Sequence, residues 1–313
     1  MMLAHDAVAR SELWSSWHPE PLVLAGLVLA GAVYARGVAR LRGRRQGRSR
    51  VGAARIAAFT VALLALAVAL ATPLETAASS LFTAHMIQHL VLIVVAAPLL
   101  VVGRVGLVSM LGLPRRARRL LRRVEARPQV RRTMNVAWHP ASVWMLGAVV
   151  LWAWHLPALY EAAVTHDAVH AIEHVTLVAV AMLLWAAVLG RGRRPLAVPA
   201  AALLLFTSGL QSAALGAVLA FAQVPLYGIH DPVPPGWGLT PLEDQQLAGA
   251  LMWVPPGLIY LFVIWGLLAR WLATLDTSPA PAASPAARGA VASETSATGQ
   301  ASELVEVTTR ESS

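Results

Sequence analysis

Histidine is the residue type through which this chain could do chemistry, and its spacing says how. His85 and His89 open the run HMIQHLVLIVVAAPLL four residues apart, and His166, His170 and His174 open a second apolar run in two further steps of four. Residues i and i+4 share one helix face with Cβ atoms roughly 5 to 6 Å apart, so imidazoles at that spacing can reach one ion. Neutral imidazole is a ligand for copper, zinc, iron and nickel. Whether the two arrays meet depends on the elements that carry them.

Those elements read as membrane helices. The 313 residues are 57% hydrophobic and 13% charged with a mean hydropathy of +0.61, which is too apolar for an ordinary soluble domain. Crossing roughly 30 Å of hydrocarbon takes about 20 mostly apolar residues. Seven segments qualify: 21–39, 55–72, 83–102, 141–157, 168–189, 197–222 and 245–271. The expected fold class is an all-α integral membrane protein with seven transmembrane helices. Residues 1–20 then form a short extracytoplasmic N-terminus and 21–272 the transmembrane domain. Residues 273–313, rich in Ala, Ser, Thr and Pro, should be a disordered cytoplasmic tail.

Charge assigns the two sides. All 25 basic residues are arginine, with seven in Arg40–Arg55, ten in Arg104–Arg132 and Arg191, Arg193 and Arg194 between the fifth and sixth segments. The alternate links Thr72–Ala84, Pro157–Asp167 and Gln223–Asp244 contain none. Basic loops stay cytoplasmic, which puts the N-terminus outside and the C-terminus inside. Asp6 and Glu12, without a cationic region before them, argue against a cleaved signal. In Arg104–Arg132 the arginines are interleaved with Leu113, Leu120 and Leu121, the pattern of an amphipathic helix on the inner leaflet. The pI near 11.3 therefore points to anionic membrane lipids rather than to nucleic acid.

This topology puts His85, His89, His155, His166, His170 and His174 at the outer ends of three segments, with His18 and His139 left as interfacial residues. A buried imidazole is costly unless paired, so four or more converging at one level favour a ligand set over packing, with Glu173 placed to orient a ring. Met252 lies eight residues inside Asp244, about 12 Å deeper along a helix and level with the deeper histidines. Taken alone, Met252 reads as core and Asp244 as a helix-start carboxylate. Imidazoles with a thioether favour Cu(I), while zinc, and haem held between His89 and His174, stay open. Lower down, Pro98 should kink or end its helix, and Ser208, Ser212 and Gly216 form a small-residue stripe for close helix packing. There is no lysine for a retinal Schiff base, no cysteine for a thiolate or disulfide, and no P-loop for a pump.

HMIQHLVLIVVAAPLL, WHLPALY at 154–160, HDAVHAIEH at 166–174, PLYGIH at 225–230 and TPLEDQQLAGALMWVP from Thr240 resemble, in order, the multi-pass CtaG family of cytochrome c oxidase assembly factors associated with caa-type oxidases. The resemblance covers Trp17 to Trp271. It implies a multi-pass protein of the bacterial plasma membrane, not an enzyme, whose partners are cytochrome c oxidase subunits and whose role is tied to copper supply. Its motif positions are His85, His89, His155, His170, His174, Asp244 and Met252. The expectation is that copper arriving from outside is held by His85, His89, His170 and His174, with Met252 and His155 completing or relaying the site. Two alternatives stand beside it, a haem-binding electron carrier and a metal-free scaffold acting through Arg104–Arg132.

Overall fold

Proline opens six of the thirteen α-helices among the described residues, where its fixed φ suits the first turn and its missing N–H costs nothing. The computed structural model describes residues 8–42, 52–193 and 195–276, and no strand occurs among the described residues. After a 3₁₀ turn at Arg10–Glu12 come α1 (Pro21–Arg42), α2 (Ala53–Ala71) and a short α3 (Pro73–Ala78). A continuous run follows, made of α4 (Phe82–Leu90), a π-helical stretch Val91–Ala96 and α5 (Ala97–Val102). Next are α6 (Val105–Gly112), α7 (Arg115–Glu125), α8 (Pro128–Ala137), α9 (Pro140–Trp154) and α10 (Pro157–Thr165). The chain continues through α11 (Asp167–Val188), α12 (Val198–Ala220) and α13 (Pro241–Asp276).

Six of these stretches are long and apolar enough to cross a membrane: α1, α2, the Phe82–Val102 run, α11, α12 and α13. The expected fourth span is α9, which has only 15 residues and at about 1.5 Å per residue falls short of the hydrocarbon thickness. It makes a seventh span only together with α8, and the two are bent by 78°. The break sits at His139, held extended before Pro140 as a pre-proline residue must be. The expected inner-leaflet helix is likewise three helices, α6 to α8. The chain divides at Leu268, and the described part of the second unit is helical to Asp276, past the expected tail boundary at 272. The rest of that tail, and most of the Arg40–Arg55 link, lie outside the described residues.

The Phe82–Val102 run is the most enclosed span, with more than half of its residues buried, whereas α1 buries only Tyr34, Gly37 and Val38. It neither ends nor breaks at Pro98. The Ala97 N–H reaches back five residues to the Leu92 carbonyl, widening the turn. Ile93 then has no backbone donor, since Ala97 is taken and Pro98 has no N–H, and the Trp185 indole donates to it at 2.9 Å. The same device recurs in α13, which runs through Pro255 and Pro256. Pro256 cannot donate to the Met252 carbonyl, and Ser212 Oγ of α12 does so at 3.0 Å. Contact this close is possible because Gly216 meets Gly249, where an added Cβ would lie 2.7 Å from the Gly249 carbonyl oxygen.

Ser212→Ala should destabilise the protein by about 1–3 kcal/mol by leaving a buried carbonyl unpaired. Ser208→Ala should be nearly silent, because its hydroxyl only shares the Leu204 carbonyl within α12. Thermal unfolding of both variants in detergent measures the contrast, and equal shifts would refute this account of Ser212.

Candidate metal centre

Both i,i+4 pairs project from their helices toward each other. The rings of His85 and His89 on α4 are 4.4 Å apart, and those of His170 and His174 on α11 are 4.2 Å apart. Across the interface His85 stacks on His170 at 5.2 Å and His89 meets His174 edge-on at 5.5 Å. Four imidazoles thus form a closed ring of neighbours. Glu173 enters the same space, with one oxygen 3.4 Å from His85 Nε2 and the other 3.6 Å from His89 Nε2. His85, His89 and Glu173 alone already bring three ligand atoms within 4.8 Å of one another. All three are buried.

The orientation of two rings is set from behind. His155 follows α9, and its Nδ1 lies 2.7 Å from the Leu151 carbonyl oxygen, which can only accept. The proton therefore sits on Nδ1 and the Nε2 lone pair is bare. His170 likewise directs Nδ1 at Glu75 Oε1, 3.2 Å away. Glu75 sits on α3, and burial raises its carboxyl, but the hydrogen bond and charge of His170 outweigh burial and hold it below the ordinary carboxylate range. Gln88 of α4 ties this pair to the frame, donating to Glu75 and to the Ala69 carbonyl. A carboxylate behind an imidazole is the arrangement that orients metal-binding histidines and raises their basicity.

The front of the cluster is different. The Nε2 atoms of His85, His89, His155, His170 and His174 and Glu173 Oε2 are all buried with no hydrogen-bond partner. His155 and Met252 do not stand among the four rings. They line, with His89 and Met86, a cavity next to them. Asp244 is placed elsewhere again. Its two carboxylate oxygens accept from the Phe82 and Thr83 N–H groups at 2.7 and 2.9 Å, and its backbone carbonyl accepts from Thr83 Oγ1. It caps the N-terminus of α4, the helix that carries His85 and His89, from the first turn of α13. Of the remaining histidines in the outer set, His166 is exposed at the start of α11 and lies outside the cluster. His18 and His139 are exposed, as expected for interfacial residues.

Sequence reasoning missed Glu75, Gln88 and an aromatic cover over His85. Tyr160 lies 5.1 Å from His85, centroid to centroid, and its hydroxyl is 2.7 Å from His230 Nε2. Burial lowers the pKa of His230, with Asp244 acting partly against it, and a neutral ring is what the Tyr160 hydroxyl needs as an acceptor. Tyr227 donates to the His155 carbonyl at 2.9 Å, pinning the turn that presents His155. PLYGIH was visible as a motif, and Glu75 was visible as a carboxylate at the outer end of α2. Nothing in their spacing joined Glu75 to His170, 95 residues on, or Tyr227 to His155, 72 residues before it.

A family model described as cytochrome c oxidase caa3 assembly factor (Caa3_CtaG) matches residues 32–274. No curated protein matches the chain, and no solved structure does.

Asp244→Ala should lower stability by about 1–3 kcal/mol, because two backbone N–H groups at a buried helix start lose their acceptor. Asp244→Asn, which keeps one acceptor oxygen, should recover part of that loss. Unfolding midpoints of the purified variants check the order, and a stable Asp244→Ala protein would remove the capping role.

Proposed function

This chain belongs to the Caa3_CtaG family of cytochrome c oxidase caa3 assembly factors, and from that premise we propose that it binds copper near the outer membrane face and supplies it to the oxidase. The observation that carries the reading is the set of five buried imidazole Nε2 atoms with no hydrogen-bond partner. An unpaired buried polar atom costs about 1–3 kcal/mol. Four such atoms in one ring around Glu173, with that of His155 lining the adjoining cavity, form an expensive arrangement unless a cation accounts for them.

Membership of the family implies association with cytochrome c oxidase. Copper, the outer face and the bacterial plasma membrane are the finer part of the proposal. His85, His89, His170 and His174 supply the ligands, and Glu173 either completes the set or orients it. Delivery is ligand exchange with an oxidase subunit and needs no covalent step. Support for the sidedness comes from the arginines. Five of the six on α7 are exposed beside Leu120 and Leu121, which suits the headgroups of an anionic inner leaflet. The histidines then fall on the opposite side, where copper would arrive without crossing the membrane. The spacing also speaks against haem between His89 and His174. A macrocycle between those rings would have to displace His85 and His170, whose own rings are 5.2 Å apart.

Copper bound per molecule of purified full-length protein, measured by elemental analysis, should fall at least several-fold in the His89→Ala/His174→Ala variant. An unchanged ratio would reject the site, and a Soret band in the wild-type spectrum would favour haem instead.

A further inference from the structure

The histidine ring accounts for four of the five Nε2 atoms without a hydrogen bond, and the fifth, that of His155, faces a different set of neighbours. His155 is buried, its tautomer is fixed by the Leu151 carbonyl, and its bare Nε2 has no partner. It lines one cavity together with His89, Met86 and Met252. Both methionines are buried, at 1% and 5% exposure, so their thioethers are shielded from water. The cavity is therefore flanked by two imidazoles and two thioethers, and none of the residues lining it is a carboxylate.

We infer that Met86, His89, His155 and Met252 form a second, softer station, selective for Cu(I) over divalent ions. This rests on the metal reading of the histidine ring, because His89 belongs to both places. Thioether sulfur is a neutral, polarisable ligand that suits Cu(I) and contributes little to Zn(II), whereas imidazole serves both. A site offering Glu173 with imidazoles discriminates poorly among these ions. A site offering two sulfurs does not. Since His89 Nε2 has one lone pair, it can serve one station at a time. An ion therefore passes from the first to the second when His85, His170 or His174 is exchanged for His155 and a thioether, with no change in oxidation state. Two features hold the lower ligands in place. Met252 is fixed through its backbone carbonyl by Ser212, and Met86 is one helical step from His89 on α4.

Met86 had no signal in the sequence. It sits between two histidines in HMIQH and reads as the apolar filler of a membrane helix. Only the cavity identifies it with Met252, which lies on a helix more than 160 residues further along the chain.

The test uses full-length protein in detergent, with Ag(I) as a redox-inert soft probe read by X-ray absorption, and an anaerobic Cu(I) competition titration. Sulfur should appear in the first shell of Ag(I) in the wild type and disappear in Met86→Leu/Met252→Leu. Cu(I) affinity in that variant should fall at least about tenfold, while Zn(II) stoichiometry stays the same. Met-to-Leu exchange conserves volume and usually costs little stability, and the wild-type sulfur shell is a readout that needs no variant to fold. A wild-type shell of nitrogen and oxygen alone, or an unchanged Cu(I) affinity in the double variant, overturns the second station. If copper is nevertheless lost in His89→Ala/His174→Ala, the histidine site survives that failure. A wild type that retains no metal at all sinks both.

Discussion

In a hydrocarbon surrounding, a polar atom that lacks a partner has no water to fall back on, and this cost governs the structure more than any single contact. The chain goes to some length to meet it. Where Pro98 and the widened turn strand the Ile93 carbonyl, Trp185 supplies a proton, and where Pro256 strands Met252, Ser212 does the same. The N-terminus of α4, which has no side-chain cap of its own, borrows Asp244 from another helix. Against that background the bare Nε2 atoms stand apart. The same molecule that satisfies the Ile93 and Met252 carbonyls with long-range side-chain donors leaves five imidazole Nε2 atoms without a hydrogen bond in two adjoining spaces.

The rings are held in place by what stands behind them. Glu75 fixes His170, and Gln88 fixes Glu75 while also reaching the Ala69 carbonyl, so α2, α3, α4 and α11 are linked through three side chains. Asp244 joins the start of α13 to the start of α4, and Tyr227 pins the turn after α9. These supports approach from the back and sides, and none of them occupies the space between the rings. Orientation is thereby set before any ligand arrives, which is the condition for binding without a large ordering cost.

Much of this was legible in the chain. The i,i+4 histidine pairs need only helical geometry, and hydropathy windows located the helices that carry them. The small-residue stripe at Ser208, Ser212 and Gly216 announced a close helix contact without naming the partner, and the Gly216–Gly249 approach shows it to be α13. What was not legible depended on partners distant in sequence. Asp244 has the composition of a ligand and the position of a helix-start residue, and the two N–H groups its carboxylate accepts from belong to α4, about 160 residues earlier. Pro98 carried a break signal, but the π turn and Trp185 absorbed it, and nothing local to Pro98 mentions Trp185. The bend at His139 was readable from Pro140, whereas the shortness of α9 came from the chain turning at His155 and not from any loss of apolar residues.

Exposure is graded across the cluster, and that gradient bears on exchange. The Glu75 and His170 side chains are 23% and 12% exposed, His89 6%, and His85 and Glu173 1% each. Solvent therefore reaches the Glu75–His170 edge first. A cation entering there would shed its hydration shell in steps, which is cheaper than losing it at once, because each lost water would be replaced by a ligand already oriented. For a cation, the Glu75 carboxylate at that edge would lower the electrostatic cost of the first step, and the imidazoles further in, with Glu173 among them, would receive it. The cluster thus grades from a partly exposed carboxylate–imidazole pair, Glu75 and His170, to buried imidazoles closed around a second carboxylate, Glu173.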